Sequence, residues 1–487
     1  MHNKKLCSLV SRTHLTNLHS SDYTLTFSSL IFLFGFLPII LVLYYVIPTG
    51  FMKNILLILA SFLFYAWDSP IYLVLLVLSI LWNYSAGINL SKVSDKKKRK
   101  RLFWLSVAVN LLILAFFKYA NFIVSILNSF SLSLQPFSFH LPIGLSFFTF
   151  SAISYLADVY MEKVPVQKNL MKLALYISFF GKVNMGPIVQ YNQMEDQLQK
   201  RDCTFEDFKE GIFLFFKGLF KKVLLADRLA LLFAGLQHNG TVLGTWLFAI
   251  SYMLQIYFDF SGYSDMAIGL SRLFGFHFKP NFNHPYCAIS VQDFWRRWHI
   301  SLSQWFRDYI YIPLGGNRVS TKLYIRNIFV VWFLTGLWHG ANWTFIVWGV
   351  YYGCFLLLEK FVLNKVFEKC PTWIRRVYTL LVVLIAWVFF MSPSISKALQ
   401  TIACMFGVGA KGLINTEVFF YLKNYFLCIV FACILSGNTY KYFQRANFVC
   451  FKNKAHLVMS IVYIVLFFIS VSFIVSSTFQ TFLYFAF

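Results

Sequence analysis

Two histidines, His299 and His339, stand forty positions apart (339 − 299) in a chain of 487 residues. A neutral imidazole can take a proton from a hydroxyl as that oxygen attacks a thioester or ester carbonyl, and its unperturbed pKa of about 6.5 suits the task. His339 lies in a stretch with no Lys, Arg, Asp or Glu between positions 327 and 358. An ionisable group at membrane depth is costly unless it is paired or hydrated, which makes this histidine a functional candidate by default. His299 falls in FWRRWHISLSQWFRDYIYIPLGGNR (294–318), an amphipathic run too charged for lipid, with Arg296 and Arg297 beside it. A lone histidine among tryptophans is also satisfied by a helix carbonyl, and for His299 taken alone that structural reading is the simpler one.

Other polar intrusions are fewer. Asp259 and Asp265, in QIYFDFSGYSDMAIG, are six apart and share a helix face badly, which weakens a carboxylate dyad or a metal site. Asp265 is a candidate to orient a histidine or pair with an arginine, and Asp259 to cap or pair within its segment. The PLGGNR run (313–318) reads as a tight turn rather than a phosphate loop. Tyr484, in the closing FLYFAF, is either an interfacial belt residue or a phenol able to carry an acyl group briefly. Trp338 and Asn342 flank His339 as supporting residues. Nucleophile elbows, Walker loops and HExxH are absent, and nine cysteines without CxxC spacing argue against a disulfide framework or a zinc site.

The elements that must position these groups are membrane helices. The chain is 59% hydrophobic and only 13% charged, with a mean hydropathy of +0.64. Its apolar runs are long enough to cross a bilayer, so an all-α polytopic membrane protein is expected. The net charge of +24 sits between those runs, where cytoplasmic loops collect Lys and Arg, and it needs no nucleic-acid partner. Residues 1–26 have no apolar core of a signal peptide and read as a disordered extension or a start codon placed too early. Residues 27–487 form one unit without a repeat or a separate soluble domain.

Charge-poor windows mark spans at 28–47, 51–67, 70–90, 102–118, 142–160, 212–235, 243–270, 327–340, 345–362, 377–392, 417–436 and 457–476. KVSDKKKRKR (92–101) fixes the cytoplasmic side. Segment 173–190 is interrupted by Gly181, Lys182, Gly186 and Pro187, so a re-entrant piece walling a cavity is expected there. About twelve spans plus that segment satisfy the charge pattern, with 271–326 cytosolic and the C-terminus outside. His339 would lie roughly 18–20 Å along the arm that starts at 327.

These residues resemble a known family. FSSLIFLFGFLP (27–38), LPIGLSFFTFSAISYLADVY (141–160), GPIVQY (186–191), YFDFSGYSDMAIGLSRLFGF (257–276), the 294–318 block, GLWHGANW (336–343) and FLYFAF follow in order. They are similar to the membrane-bound O-acyltransferases (MBOAT), in the bacterial branch of alginate and peptidoglycan O-acetyltransferase membrane subunits. The resemblance implies a fold with a central catalytic tunnel, His339 as the signature histidine, His299 as the second active-site position and Tyr484 as an acyl relay. It implies an acyl thioester such as acetyl-CoA as donor substrate rather than a bound cofactor; Arg296, Arg297 and, from this chain's own departure at 179–188, Lys182 are the donor-binding candidates. It further implies a bacterial inner-membrane setting, an extracytoplasmic SGNH/GDSL-type O-acetyltransferase or esterase-like partner, and a polysaccharide biosynthesis complex. One departure stands out: relatives read FFPQLVAGPI where this chain has FFGKVNMGPI (179–188), which places a cation, Lys182, in the broken segment. D-alanyl transfer to teichoic acid, a transporter and a non-catalytic scaffold are the competing expectations.

Overall fold

The computed structural model describes residues 25–67, 69–437 and 452–476. The N-terminal extension up to residue 24 and the C-terminal Tyr484 lie outside the described residues. Among the described residues every regular element is helical.

The helices that position the site are, in chain order, α1 (Phe32–Val46), α2 (Gly50–Ala66), α3 (Pro70–Lys92), α4 (Lys96–Asn128), α5 (Leu145–Tyr160), α6 (Leu170–Ser178), α7 (Phe180–Val183), α8 (Tyr191–Gln199), α9 (Phe205–Phe220), α10 (Asp227–Leu236) and α11 (Val242–Leu273). They continue as α12 (Val291–Arg297), α13 (Ile300–Phe306), α14 (Thr321–His339), α15 (Trp343–Leu358), α16 (Thr372–Met391), α17 (Ile395–Met405), α18 (Thr416–Ser436) and α19 (Lys452–Ser476). Among the described residues six helical stretches are long and apolar enough to cross a membrane: α3, α4, Trp343–Lys369, α16, α18 and Val458–Ser476. α1 and α2 are shorter apolar helices.

The other long helices turn polar groups inward instead of being uniformly apolar. Residues 145–159 of α5 are all buried, with Ser146, Thr149, Ser151, Ser154 and Asp158 among them. α11 buries Gln255, Asp259, Ser261 and Ser264. Such helices are enclosed by protein and need no apolar outer face. The carboxylates of α11 are neutralised by lysines at the end of α9 and in the stretch between α9 and α10. Lys222 Nζ lies 2.7 Å from Asp227 and 2.8 Å from Asp259, and Lys221 Nζ lies 2.7 Å from Asp265. Asp265 therefore pairs with lysines (Lys217 is the second, at 3.5 Å) and not with a histidine or an arginine as the sequence suggested. Asp259 pairs near the middle of its helix, as expected.

Segment 173–190 is broken, as its glycines and proline predict. α6 stops at Ser178, Phe179 turns the chain with ψ 118, and α7 is a single turn followed by non-helical backbone. All of 173–191 is buried, so this irregular backbone is surrounded by protein. Its N–H groups find partners outside the segment: Phe180 N donates to Ser61 Oγ at 3.0 Å and Ile188 N to Ser301 Oγ at 3.0 Å. Lys182 is buried here, donating to Ser151 Oγ at 3.0 Å and lying 4.4 Å from the Tyr176 ring centre.

α14 and α15 form the hairpin that carries His339. A Cβ on Gly336 would stand 2.4 Å from Phe345 O, and one on Gly349 would stand 2.3 Å from Trp332 O. Only glycine permits this backbone-to-backbone approach, the close packing that small residues give membrane helices. At the turn, Asn342 caps α15 by accepting from Thr344 N at 3.1 Å, and its Nδ2 donates to Pro393 O at 3.0 Å.

Candidate active site

His339 is the last residue of α14 and is buried. Its ring meets those of Trp338 and Trp348 at 4.9 Å each and Phe390 at 5.3 Å, all edge-on. The last carbonyls of a helix have no partner within it. Here α4 supplies the donors: Lys118 Nζ bonds Trp338 O and Tyr119 Oη bonds Leu337 O. A cation at a helix C-terminus is also favourably placed with respect to the helix dipole.

His299 is wholly buried, not exposed at an interface. The run 294–306 is not one amphipathic helix but two short ones, α12 and α13, separated by Trp298 and by His299 at φ 43, ψ 54. A left-handed backbone is uncommon for a residue other than glycine and costs roughly 1–2 kcal/mol. The break is held by neighbouring bonds: Trp298 N to Phe294 O at 2.8 Å, Ile300 N to Asn281 O at 3.0 Å and Ser303 N to His299 O at 3.2 Å. Around it the tryptophans point inward. Trp298 stands 4.9 Å from Trp387, and Trp305 stacks on Phe150 at 3.9 Å while its Nε1 donates to Phe150 O at 3.1 Å. The segment is thus plugged into the helix bundle.

The two histidines approach the same indole. The Trp338 ring lies 4.9 Å from His339 and 6.2 Å from His299, which also meets Phe260 edge-on at 4.6 Å. His299 Nδ1 is 3.3 Å from Asn281 Oδ1, whereas Nε2 is buried with no hydrogen-bond partner. Burial pushes the His299 pKa down to about 3, so this ring is neutral at neutral pH.

A cavity of about 1140 Å³ is walled by residues near each histidine in sequence, Ile300 after His299 and Thr335 one turn before His339, and neither imidazole lines it. Its walls include Trp332 and Thr335 of α14 and four cations, Arg296, Arg307, Lys360 and Arg375, opposed by Glu359 and Glu368. Thr335 is four residues before His339, about 6 Å along the helix axis. Of the cations expected at a donor site, Arg296 lines this cavity. Arg297 instead bonds Asp293 at 2.9 Å, and Lys182 is occupied by Ser151. A smaller cavity of about 360 Å³ lies at the hairpin turn, bounded by Ser125, Ser129, Asn342 and Trp343. The PLGGNR run is a turn, as expected, with Gly315 and Gly316 at φ 98 and 60 and Asn327 Nδ2 bonding the carbonyls of Leu314 and Gly316.

Sequence reasoning missed Asn281, Ser301, Lys118, Tyr119 and the cavity cations Arg307, Lys360 and Arg375. Lys118 left a trace, a single cation inside LLILAFFKYANF. Asn281 left none, because its partners are eighteen and twenty residues away.

Residues 58–399 match the family model for MBOAT, the membrane-bound O-acyltransferase family. The chain is 42% identical over 395 residues to a probable alginate O-acetylase AlgI of Azotobacter vinelandii, covering 79% of each chain. It is 33% identical over 483 residues to a peptidoglycan O-acetyltransferase of Helicobacter pylori, covering 90% of this chain and 91% of that one. A teichoic acid D-alanyltransferase of Bacillus subtilis is 30% identical over 266 residues, covering 51% of this chain and 66% of that one. Transport and scaffolding thereby give way to catalysis. Two buried imidazoles near one indole, with this likeness along most of the chain, make the protein a multi-pass membrane acyltransferase that belongs to the MBOAT family.

Proposed function

We propose that the protein moves an acetyl group from a cytosolic acyl thioester, acetyl-CoA, towards the outer face of the bacterial inner membrane for O-acetylation of a cell-envelope or secreted polysaccharide. The observation that carries this reading is the pair His299 and His339, both packed near the Trp338 indole, with a cavity walled by four cations that reaches Ile300 and Thr335. Arg296, Arg307, Lys360 and Arg375 suit the phosphates of the donor, and Trp332 and Thr335 suit its thioester arm. A tunnel from this cavity past His339 to the small cavity at Asn342 completes the path, within about twelve crossings and the broken segment as one wall.

In the transfer, the acceptor hydroxyl gives its proton to an imidazole nitrogen as its oxygen bonds the thioester carbon. The tetrahedral centre collapses, the C–S bond breaks, and the imidazolium returns the proton to the leaving thiolate. His339 is the general base in this scheme and His299 assists at the acyl or acceptor oxygen. Lys118, fixed one residue from His339, favours the developing negative charge. Tyr484 is the first acceptor, and an extracytoplasmic SGNH/GDSL-type partner within a polysaccharide biosynthesis complex receives the group. The longer matches to the two acetyltransferase-named relatives favour acetyl over D-alanyl transfer.

The test is transfer of radiolabelled acetyl from acetyl-CoA in proteoliposomes containing wild type, His339→Ala or Tyr484→Phe. Label attached to wild type and lost in both variants supports the scheme. Label lost only in the histidine variant removes the relay, and wild-type transfer by His339→Ala overturns the base assignment.

A further inference from the structure

His299 and Asn281 form a contact whose direction is fixed by a third residue. Asn281 is 1% exposed and lies between α11 and α12. Its Oδ1 is 3.0 Å from Ser301 N, 2.9 Å from Ser301 Oγ and 3.3 Å from His299 Nδ1. A backbone N–H can only donate, so the amide atom facing Ser301 N must be the oxygen and not the nitrogen. An amide oxygen has no proton to give, so His299 Nδ1 must carry one to make its contact. The neutral ring then has its lone pair on Nε2, the atom that is buried without a hydrogen-bond partner.

The same chain of donors reaches the broken segment. Ile188 N donates to Ser301 Oγ at 3.0 Å, which leaves the Ser301 hydroxyl proton to point at Asn281 Oδ1. One run of hydrogen bonds therefore ties the interrupted helix at 188, the start of α13 and the His299 ring to a single amide oxygen. The left-handed backbone at His299 gives the ring its place, and Asn281 gives it its tautomer.

We propose that Asn281 is a positioning residue that holds His299 protonated on Nδ1, so that Nε2 offers a lone pair to the acceptor or the leaving thiol beside the base, His339. The inference rests on the acyl-transfer reading for the use of Nε2, but not for the tautomer. As the hydroxyl proton passes to His339 and from there to the thiolate, the His299 ring gains and loses no proton and keeps its Nδ1–H bond to Asn281. A ring held the other way would present an N–H to the hydroxyl and could accept nothing from it.

The tautomer is read without turnover, from the ¹⁵N resonances of full-length protein labelled at histidine in lipid bilayers, with His299 identified by the signals that His299→Gln removes. We expect one protonated and one unprotonated nitrogen, with the proton on Nδ1; a wild-type ring protonated on Nε2 overturns the proposal. In proteoliposomes with acetyl-CoA, Asn281→Leu should lower kcat on the order of 10²-fold with KM little changed. Asn281→Asp, which keeps an acceptor at the same place, should recover most of that rate. A loss that appears in KM alone, or an Asn281→Leu protein whose His299 keeps its proton on Nδ1 and its full rate, refutes the role. If wild type transfers nothing from acetyl-CoA, the functional reading falls, and the spectrum still decides the tautomer. If Asn281→Leu does not fold, the wild-type spectrum and Asn281→Asp carry the decision.

Discussion

Adding a single methyl group at Gly349, on the helix that faces the one ending in His339, should disable that histidine. The Cβ of Gly349→Ala would meet Trp332 O at 2.3 Å and the Gly336 Cα at 3.3 Å, where ordinary contact begins at 3.4 Å. The obstacle is backbone on the facing helix, so α14 and α15 must separate by about 1 Å. Overpacking of this kind typically costs about 1–3 kcal/mol. His339 ends one arm of the hairpin and packs on Trp348 of the other, one residue from Gly349, so the displacement reaches the ring directly. Misplacement of a catalytic group by about 1 Å can cost on the order of 10²-fold in rate. The assay is initial-rate acetyl transfer in proteoliposomes with thermal unfolding of the same preparations in detergent. Gly50→Ala is the matched control, because nothing lies within 4 Å of the Cβ it adds, and it should keep both rate and midpoint. Wild-type rate and midpoint in Gly349→Ala would refute the claim that the hairpin spacing sets the position of His339.

Two further outcomes follow from buried charge. Lys222→Met removes the cation 2.7 Å from Asp227 and 2.8 Å from Asp259, which should destabilise by about 3–5 kcal/mol as judged by detergent melting; Asp227→Asn and Asp259→Asn added together should recover most of the loss, and an unaffected single variant would refute the pairing. The depressed pKa of His299, about 3 against about 6.5 in the unfolded chain, leaves folding unpenalised above pH 6.5 and makes stability fall as pH drops from there towards 3, because only the unfolded chain takes up the proton. Melting midpoints measured from pH 8 to 5 should therefore decline below about 6.5, and His299→Gln should flatten that decline.

How much of this was legible beforehand depended on the range of the interactions. Apolar runs announce helices that face lipid, and α3, α4, α16 and α18 fall close to the windows drawn from charge alone. The break in 173–190 was visible because glycine and proline act locally. Helices enclosed by protein are harder, since α5 and α11 bury serines, threonines and carboxylates whose partners lie far along the chain. Asp265 was read against arginine or histidine because sequence cannot show that Lys217 and Lys221 come alongside it from another helix. Lys182 looked free to meet a phosphate, and only the fold reveals that Ser151 and Tyr176 already hold it.

His299 carries the sharper lesson. Its neighbours Arg296, Arg297, Gln304 and Arg307 alternate with aromatics in a way that suits one surface helix, and helical periodicity cannot register a single left-handed residue that is neither glycine nor asparagine. That one residue divides the run, and the tryptophans that would have lain on a membrane surface turn into the bundle instead. The strain is local, whereas what holds it is distant: Asn281 from before α12, Ile188 through Ser301, and Trp338 from α14. A backbone conformation costing about 1–2 kcal/mol persists only where its surroundings over-determine it, and such places cluster at functional sites. The residue that local pattern described worst is therefore the one whose setting says most about the chemistry, because an imidazole that must offer one nitrogen's lone pair needs a fixed tautomer more than it needs a comfortable backbone.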